Sequence, residues 1–540
     1  MSDLAAYTST PLGEIDTIYD QLQNTFASHK TQSIDYRIYN LQQLAYLIKD
    51  NELQICNALK ADLDKGAFDI ALTETWLVLG EINLALKRLK GWMKDETTMW
   101  DAVLGLKFFY ARVRKQPKGV ALNFPWQLTL GPLVGAIAAG CPAMIKHSPA
   151  TSALMASLIP KYLDPEGYAV VLGEVECTTK LLEKPWGHIL FTGSGNVGKI
   201  VASAAAKTLT PTTLEVSLSA SPCMAAKSDW FASKQLGGKS PVIVSECADL
   251  RITARRLLSI KLMNIGQMCV SPDYVLVVRS KVDEFVSECK KTLDEFLPHS
   301  PSPHSVLESE MATAFINEAG LQRHQRMLEQ VEKAGQLVYR GELDATRRRA
   351  GISLALVGAE DKGMIVEEEI FGPIIPIIPV ESVQAAIDYV NARPHALALH
   401  VCSSKKSVFN EVVKQTLSGS ATWNDFAFAT ASRHLPFGGV GESGWGAYHG
   451  KAGFETFTHR RSLLDIPLFA EPIMSLRYPP MSIFGKRVYA FLLENKVSFS
   501  RPRSVEDVAR KRKHWRLFRM VSWVVILLAA GSYSVFGVRK

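Results

Sequence analysis

Cys269 lies in the run Gly266-Gln267-Met268-Cys269-Val270-Ser271-Pro272-Asp273-Tyr274, a small-residue setting that suits a nucleophilic sulfur. A thiol is only a few per cent ionised at neutral pH, so it must be poised beside backbone N–H groups or a base. The other cysteines, Cys56, Cys141, Cys177, Cys223, Cys247, Cys289 and Cys402, read as small buried packing residues. The cysteines show no paired metal-ligand spacing and no signal peptide precedes them, which points to free thiols in a reducing, cytosol-facing compartment.

A second constellation runs from His188 through Phe191-Thr192-Gly193-Ser194-Gly195-Asn196-Val197-Gly198. It reads as strand, glycine loop, then helix, and satisfies G-x-G-x-x-G at Gly193, Gly195 and Gly198. Glycines there let a pyrophosphate approach backbone N–H groups at a helix N-terminus. A glycine turn that simply joins strand to helix is the plainer alternative.

These groups need a scaffold. At 540 residues the chain exceeds one core, and two or three domains are expected. Apolar positions recur three and four apart through Ile15–Phe26, Tyr36–Leu47 and Leu72–Met93, predicting amphipathic helices. Phe108–Arg114 is strand-like. Strand-like runs at Gly119–Leu122, Ala143–Lys146, Tyr168–Leu172 and His188–Phe191 then alternate with helical ones at Leu128–Gly140, Ala153–Leu163 and Val197–Thr208. This alternation predicts an α/β fold, with a parallel sheet covered by helices on both faces. A second α/β stretch extends from Ser240 to about Thr422, with strands at Pro241–Val244, Tyr274–Val278 and Ile374–Pro379. One further amphipathic helix is expected at Phe484–Lys496.

The formal charge of +8 belongs to the C-terminal end. Arg510, Lys511, Arg512, Lys513, Arg516, Arg519, Arg539 and Lys540 account for all of it, with no Asp or Glu beyond residue 508. Residues 1–508 are therefore neutral overall, which disfavours nucleic-acid binding. Met520–Val538 is an almost wholly apolar run reaching about 28 Å as a helix, close to the hydrocarbon thickness of a bilayer. The cations before it would stay cytosolic. A tail-anchored protein is expected, with a buried core helix as the alternative.

Further motifs lie along the chain: Asn123-Phe124-Pro125-Trp126, Leu214-Glu215, Leu236-Gly237-Gly238-Lys239, Glu368-Glu369-Ile370-Phe371-Gly372-Pro373, and Pro436-Phe437-Gly438-Gly439-Val440-Gly441-Glu442-Ser443-Gly444. Together with Gly266–Cys269 and Phe191–Ser194, in this order, they resemble the aldehyde dehydrogenase superfamily over about residues 15–465, and more closely its fatty aldehyde dehydrogenase branch. The resemblance implies a Rossmann-type cofactor domain (1–105 and 117–214), a catalytic domain (236–422) and a β-arm for dimerisation (106–116 and 423–465). A connector (466–519) and a transmembrane tail (520–538) follow.

It also implies a chemistry: NAD(P)-dependent oxidation of medium- or long-chain aliphatic aldehydes to acids. Cys269 would be the nucleophile, the Asn123 amide and the Cys269 N–H the oxyanion donors, and Glu215 the base that activates water. Lys146, Gly193, Ser194, Gly198, Glu369 and Phe371 would bind NAD or NADP, with a share in Glu215's base role as the alternative for Glu369. A homodimer is implied, anchored in the endoplasmic reticulum, peroxisomal or outer mitochondrial membrane with its catalytic domain facing the cytosol. His434 and His449 read as structural.

Three departures accompany the resemblance. The family reads Glu-Leu-Gly-Gly-Lys without a break, whereas here residues 216–235 intervene between Glu215 and Leu236. Glu215 and Cys269 are 54 positions apart, or 34 without that segment, which restores the family's separation. The segment begins Val-Ser and ends in Gln, as a translated retained intron would; a surface loop is the alternative. Its danger is misplacement of Glu215. Gly119–Leu122 also runs directly into Asn123, and Lys146 is followed by His147-Ser148-Pro149 in place of the family's Lys-Pro-Ser-Glu. Two rival readings follow, a catalytically impaired scaffold and a cysteine esterase.

Overall fold

The computed structural model describes residues 7–97, 110–123, 127–146, 149–217, 238–296, 307, 313–493 and 500–515. The chain forms two compact units, Met1–Glu96 with Val113–Ser462, and Thr97–Arg112 with Leu463–Lys540.

The first sheet of the larger unit is built from β1 (Ala121–Asn123), β2 (Ala143–Lys146), β3 (Tyr168–Val171), β4 (His188–Ser194) and β5 (Thr212–Ser217). They lie in the order β5-β4-β1-β2-β3, all parallel. The two-residue strand Gly444–Trp445 pairs antiparallel with β5 at the edge. Side chains alternate between the two faces of a strand. Leu122, Met144, Val171, Ile189, Phe191 and Leu214 therefore pack with Ile15 and Leu22 of the helix Leu12–Ala27. Ala121, Ala143, Ile145, Tyr168 and Leu190 join the core made with the helices Ile34–Asp50, Trp76–Trp92 and Gln127–Ala139. Both faces are covered, which is why these strands read as nearly unbroken apolar runs.

The chain proceeds from β1 outward to β3, then returns to lay β4 and β5 on the other side of β1. Such a reversal leaves a crevice beyond the carboxyl ends of the two strands flanking it, here β1 and β4.

The second sheet contains β6 (Pro241–Val244), β7 (Tyr274–Val278), β8 (Leu337–Tyr339), β9 (Ser353–Leu356), β10 (Ile374–Val380), β11 (Ala396–Cys402) and β12 (Ser418–Trp423). Their order is β8-β9-β10-β7-β6-β11-β12, parallel except for β8. One apolar core takes Ile145 and Leu190 from the first sheet and Val242, Val275 and Ile377 from the second.

Several expectations need correction. The glycine loop after β4 is absent: the strand runs through Gly193 to Ser194 and the helix Gly195–Lys207 starts at the next residue. The expected single helix Leu72–Met93 begins as a π-helical stretch, Ala71–Thr75, before the α-helix Trp76–Trp92. The proposed arm segments do meet: the strands Tyr110–Pro117 and Thr458–Asp465 share a three-stranded sheet with Glu96–Thr97. In the smaller unit the expected helix is Ile483–Leu493. Residues 218–235 of the intervening segment and the apolar run 520–538 lie outside the described residues. Among the described residues no helix is long and apolar enough to cross a membrane.

Candidate active site

The 3₁₀ turn Met263–Gly266 delivers Cys269, and its backbone is unusual. Asn264, Ile265 and Gly266 have φ of 53°, 46° and 73° in succession. Left-handed residues that are not glycine are strained by about 1–3 kcal/mol and persist only where the surroundings hold them. Here Asn264 Nδ2 donates to Gln267 O at 2.7 Å, and Gln267 Nε2 donates to Ala314 O at 3.0 Å. A Cβ on Gly266 would come 2.7 Å from Gly372 O, so glycine lets the cysteine loop lie against the Phe371–Gly372 segment. Ser240 Oγ donates to Cys269 O at 3.2 Å, tying the loop down beside its sulfur.

Glu215 comes from the middle of β5, opposite Thr192 of β4 on one side and Gly444 on the other. It is 2 % exposed. A Cβ on Gly444 would fall 1.9 Å from Leu214 O, so only glycine lets the edge strand close over Glu215. The Cys269 thiol donates to Glu215 Oε1 at 3.3 Å, and the Tyr448 hydroxyl donates to Oε2 at 3.0 Å. Thr192 Oγ1 stands 3.5 Å from the same oxygen. Burial pushes the Glu215 carboxyl up to about 7, against the pull of these three donors. Burial, then the nearby Glu215 charge, raises the Cys269 thiol well above its ordinary range. Two acids this close do not both ionise, so the sulfur rests protonated with its hydrogen directed at a carboxylate able to take it. The intervening segment does not displace Glu215 from the sulfur.

A buried ionic framework supports the Glu369 segment. Lys239 Nζ lies 3.3 Å from Asp273 Oδ1 and donates to Ile365 O and Glu368 O at 2.7 and 2.6 Å. Asp273 accepts the Ile370 N–H at 3.2 Å. Arg323 donates to Glu369 O and Ile370 O at 2.6 and 2.7 Å. Glu369 is 5 % exposed, and Phe371 follows it with φ of 44°.

Residues 3–463 match the aldehyde dehydrogenase family. This chain belongs to the aldehyde dehydrogenase family. The family 3 member A2 enzyme of Pongo abelii is 37% identical over 470 residues, covering 86% of this chain and 90% of that protein. The dimeric NADP-preferring aldehyde dehydrogenase of Rattus norvegicus is 37% identical over 477 residues, covering 87% and 98%. Among solved structures, the substrate-bound state of Staphylococcus aureus AldH superposes with a TM-score of 0.79 at 33% identity, covering 88% of this chain and 99% of that one. The Mycobacterium tuberculosis aldehyde dehydrogenase complexed with NAD+ shares the fold, with a TM-score of 0.71 at 24% identity, covering 85% and 91%.

In this aldehyde dehydrogenase the remaining candidates gather at the carboxyl ends of the first sheet. Asn123 closes β1, its main chain paired with Ile145 and Leu190; the Asn123 amide lies outside the described atoms. Lys146 closes β2. Gly193 and Ser194 close β4, and Gly198 is buried in the first turn of the following helix. Gly193 has a packing role: a Cβ there would meet the Phe191 ring at 2.5 Å. The Ser194 N-cap makes no side-chain hydrogen bond to that helix's N–H groups. An uncapped, positively polarised helix end beside the β1–β4 crevice fits the diphosphate of a dinucleotide.

Sequence reasoning missed Tyr448, which lies 233 residues from the carboxylate it holds. It missed Arg323 too, since neither residue stands in a motif with a spacing rule. Lys239 and Asp273 stood within quoted motifs but were given no role.

Proposed function

We propose that this aldehyde dehydrogenase oxidises medium- and long-chain aliphatic aldehydes to carboxylic acids with NAD or NADP. The 3.3 Å contact between Cys269 Sγ and Glu215 Oε1 carries the reading. Glu215 takes the thiol proton as the sulfur attacks the carbonyl carbon. The Asn123 amide and the Cys269 N–H stabilise the resulting alkoxide; losing one such donor typically costs about 3–4 kcal/mol. Held by Lys146, Gly193, Ser194, Gly198, Glu369 and Phe371, NAD or NADP would supply the two-electron hydride acceptor whose reduction leaves a thioester on Cys269. Glu215, having released its first proton, takes another from water. The hydroxide adds to the thioester carbon, the C–S bond breaks, and the acid departs with Cys269 restored. A carboxylate with a pKa of about 7 is matched to that task near neutral pH.

The test uses purified full-length protein with decanal or hexadecanal and either cofactor, following reduced cofactor by absorbance. The expected result is steady turnover that falls about 100-fold or more in Glu215→Gln. Absence of any reduced cofactor from cooperatively folded protein would sink the proposal. Ester hydrolysis without aldehyde oxidation would favour the cysteine esterase.

The apolar run 520–538 and its basic flank support anchoring in a cytosol-facing membrane, where fatty aldehydes partition. Membrane fractionation of the full chain against one ending at residue 508 tests this, and equal solubility of the two would refute it. The paired strands Tyr110–Pro117 and Thr458–Asp465, with the dimeric relative, support a homodimer, to be measured by light scattering.

A further inference from the structure

Glu81 stands on the helix Trp76–Trp92, on a face otherwise given to Val78, Ile82, Ala85 and Leu89, and is 7 % exposed. A carboxylate in an apolar helix face is unfavourable unless something holds it there. Its Oε2 accepts the Gly450 N–H at 2.7 Å, across 369 residues of chain. Its Oε1 makes no hydrogen bond to a described residue and faces His449 Nδ1, equally without one, at 4.0 Å. Arg433, packed over Gly80, supplies the neighbouring positive charge. Burial pushes the Glu81 carboxyl up and the His449 imidazole down to about 4, so the histidine is neutral.

The turn that Glu81 grips is strained. His449 has φ of 78° and Gly450 φ of 47°, where a Cβ would come 2.2 Å from Arg433 O. Gly450 opens the helix Gly450–Thr456, yet its N-cap His449 gives no side-chain cap. Glu81 takes that place from another helix. The residue immediately before the turn is Tyr448, whose ring packs edge-on against Phe437 and whose hydroxyl donates to Glu215.

We propose that Glu81 is a positioning residue for hydrolysis of the acyl-enzyme: its grip on the Tyr448-His449-Gly450 turn delivers the Tyr448 hydroxyl to Glu215. This rests on Glu215 acting as the water base. Without the grip the turn relaxes, the phenol moves, and Glu215 loses a donor to its ionised form. Its pKa then rises and its fraction ionised at neutral pH falls.

The assay loads Cys269 with p-nitrophenyl acetate, which requires no cofactor, and follows acyl-enzyme hydrolysis from pH 5 to 9. Glu81→Leu is expected to slow hydrolysis roughly tenfold, a fraction of what a ~1 Å misplacement can do. The midpoint of its pH profile should move upward. Glu81→Gln keeps the acceptor for Gly450 and should stay within about twofold of wild type. Tyr448→Phe should match the Leu variant, and the double variant should be no slower than Tyr448→Phe alone. If the Leu variant fails to melt cooperatively, Glu81→Asp, too short to reach Gly450, replaces it. Wild-type hydrolysis by a folded Leu or Asp variant, a tenfold loss in Glu81→Gln, or additive losses in the double variant would each overturn the proposal. Glu215→Gln separates the two readings. If it hydrolyses normally, the water base itself is wrong; if it alone is slow, only the Glu81 grip is wrong.

Discussion

The two parallel sheets obey the same construction rule but serve the site from opposite ends. In the first, Asn123, Lys146 and Ser194 close β1, β2 and β4 on the carboxyl side, and Glu215 stands just past the midpoint of β5. In the second, Lys239, Cys269 and Glu369 precede β6, β7 and β10, on the amino side. The second sheet has its own reversal, between β6 and β11, and at the carboxyl ends there Cys247 Sγ lies 3.5 Å from the Ser245 hydroxyl and 3.3 Å from that of Ser403. Topology alone therefore locates the first contribution. The second depends on loops whose strained glycine-bearing turns must be specified residue by residue.

Removing one contribution at a time tests this division. Cys269→Ser takes the nucleophile proposed for the second sheet and should lower aldehyde oxidation by at least about 10³-fold while leaving cofactor affinity, measured by fluorescence, unchanged. Retained turnover would place the nucleophile elsewhere. Gly444→Ala attacks the first sheet instead, driving a methyl into Leu214 O, and a displacement of ~1 Å at Glu215 should cost about 100-fold in kcat. An unaffected rate would mean the edge strand yields without moving the base. Lys239→Met removes the cation 3.3 Å from the buried Asp273 carboxylate, and breaking that buried pair should destabilise the fold by about 3–5 kcal/mol in denaturant.

The smallest effect is on pH dependence. Glu215 holds its proton more tightly folded (about 7) than its ordinary value of 4.5, so the folded state binds the extra proton between those limits. Its contribution to stability is fully present below pH 4.5 and is lost as the pH rises through about 7. Glu215→Gln should remove that decline, seen by comparing melting curves of the two proteins at several pH values. Identical slopes would mean Glu215 titrates normally.

What the sequence could tell divides along the same line. The strands Ala143–Lys146, Pro241–Val244 and Tyr274–Val278 fall where their apolar runs place them, because burial on both faces writes itself into every position. Cys269, Glu215 and Glu369 stood in motifs whose joint order named the family. At Gly193 the spacing gave no sign of the packing: a Cβ there would meet the Phe191 ring at 2.5 Å. Tyr448 was illegible, since its partner is fixed by the pairing of Gly444 with Glu215, a contact no local pattern encodes. The π-helical stretch Ala71–Thr75 was hidden too, because an extra residue in one turn leaves the neighbouring apolar spacing intact.

The hydrogen bond between Cys269 and Glu215 also bears on how the enzyme ages. Peroxide oxidises thiolates far faster than thiols. A sulfur kept protonated against a buried carboxylate is a poor target while idle and becomes reactive only as it transfers its hydrogen to that carboxylate. Oxidative inactivation should accordingly be slow at rest, and the half-buried Cys247, whose hydroxyl neighbours Ser245 and Ser403 bring its thiol down to about 6, should be consumed first.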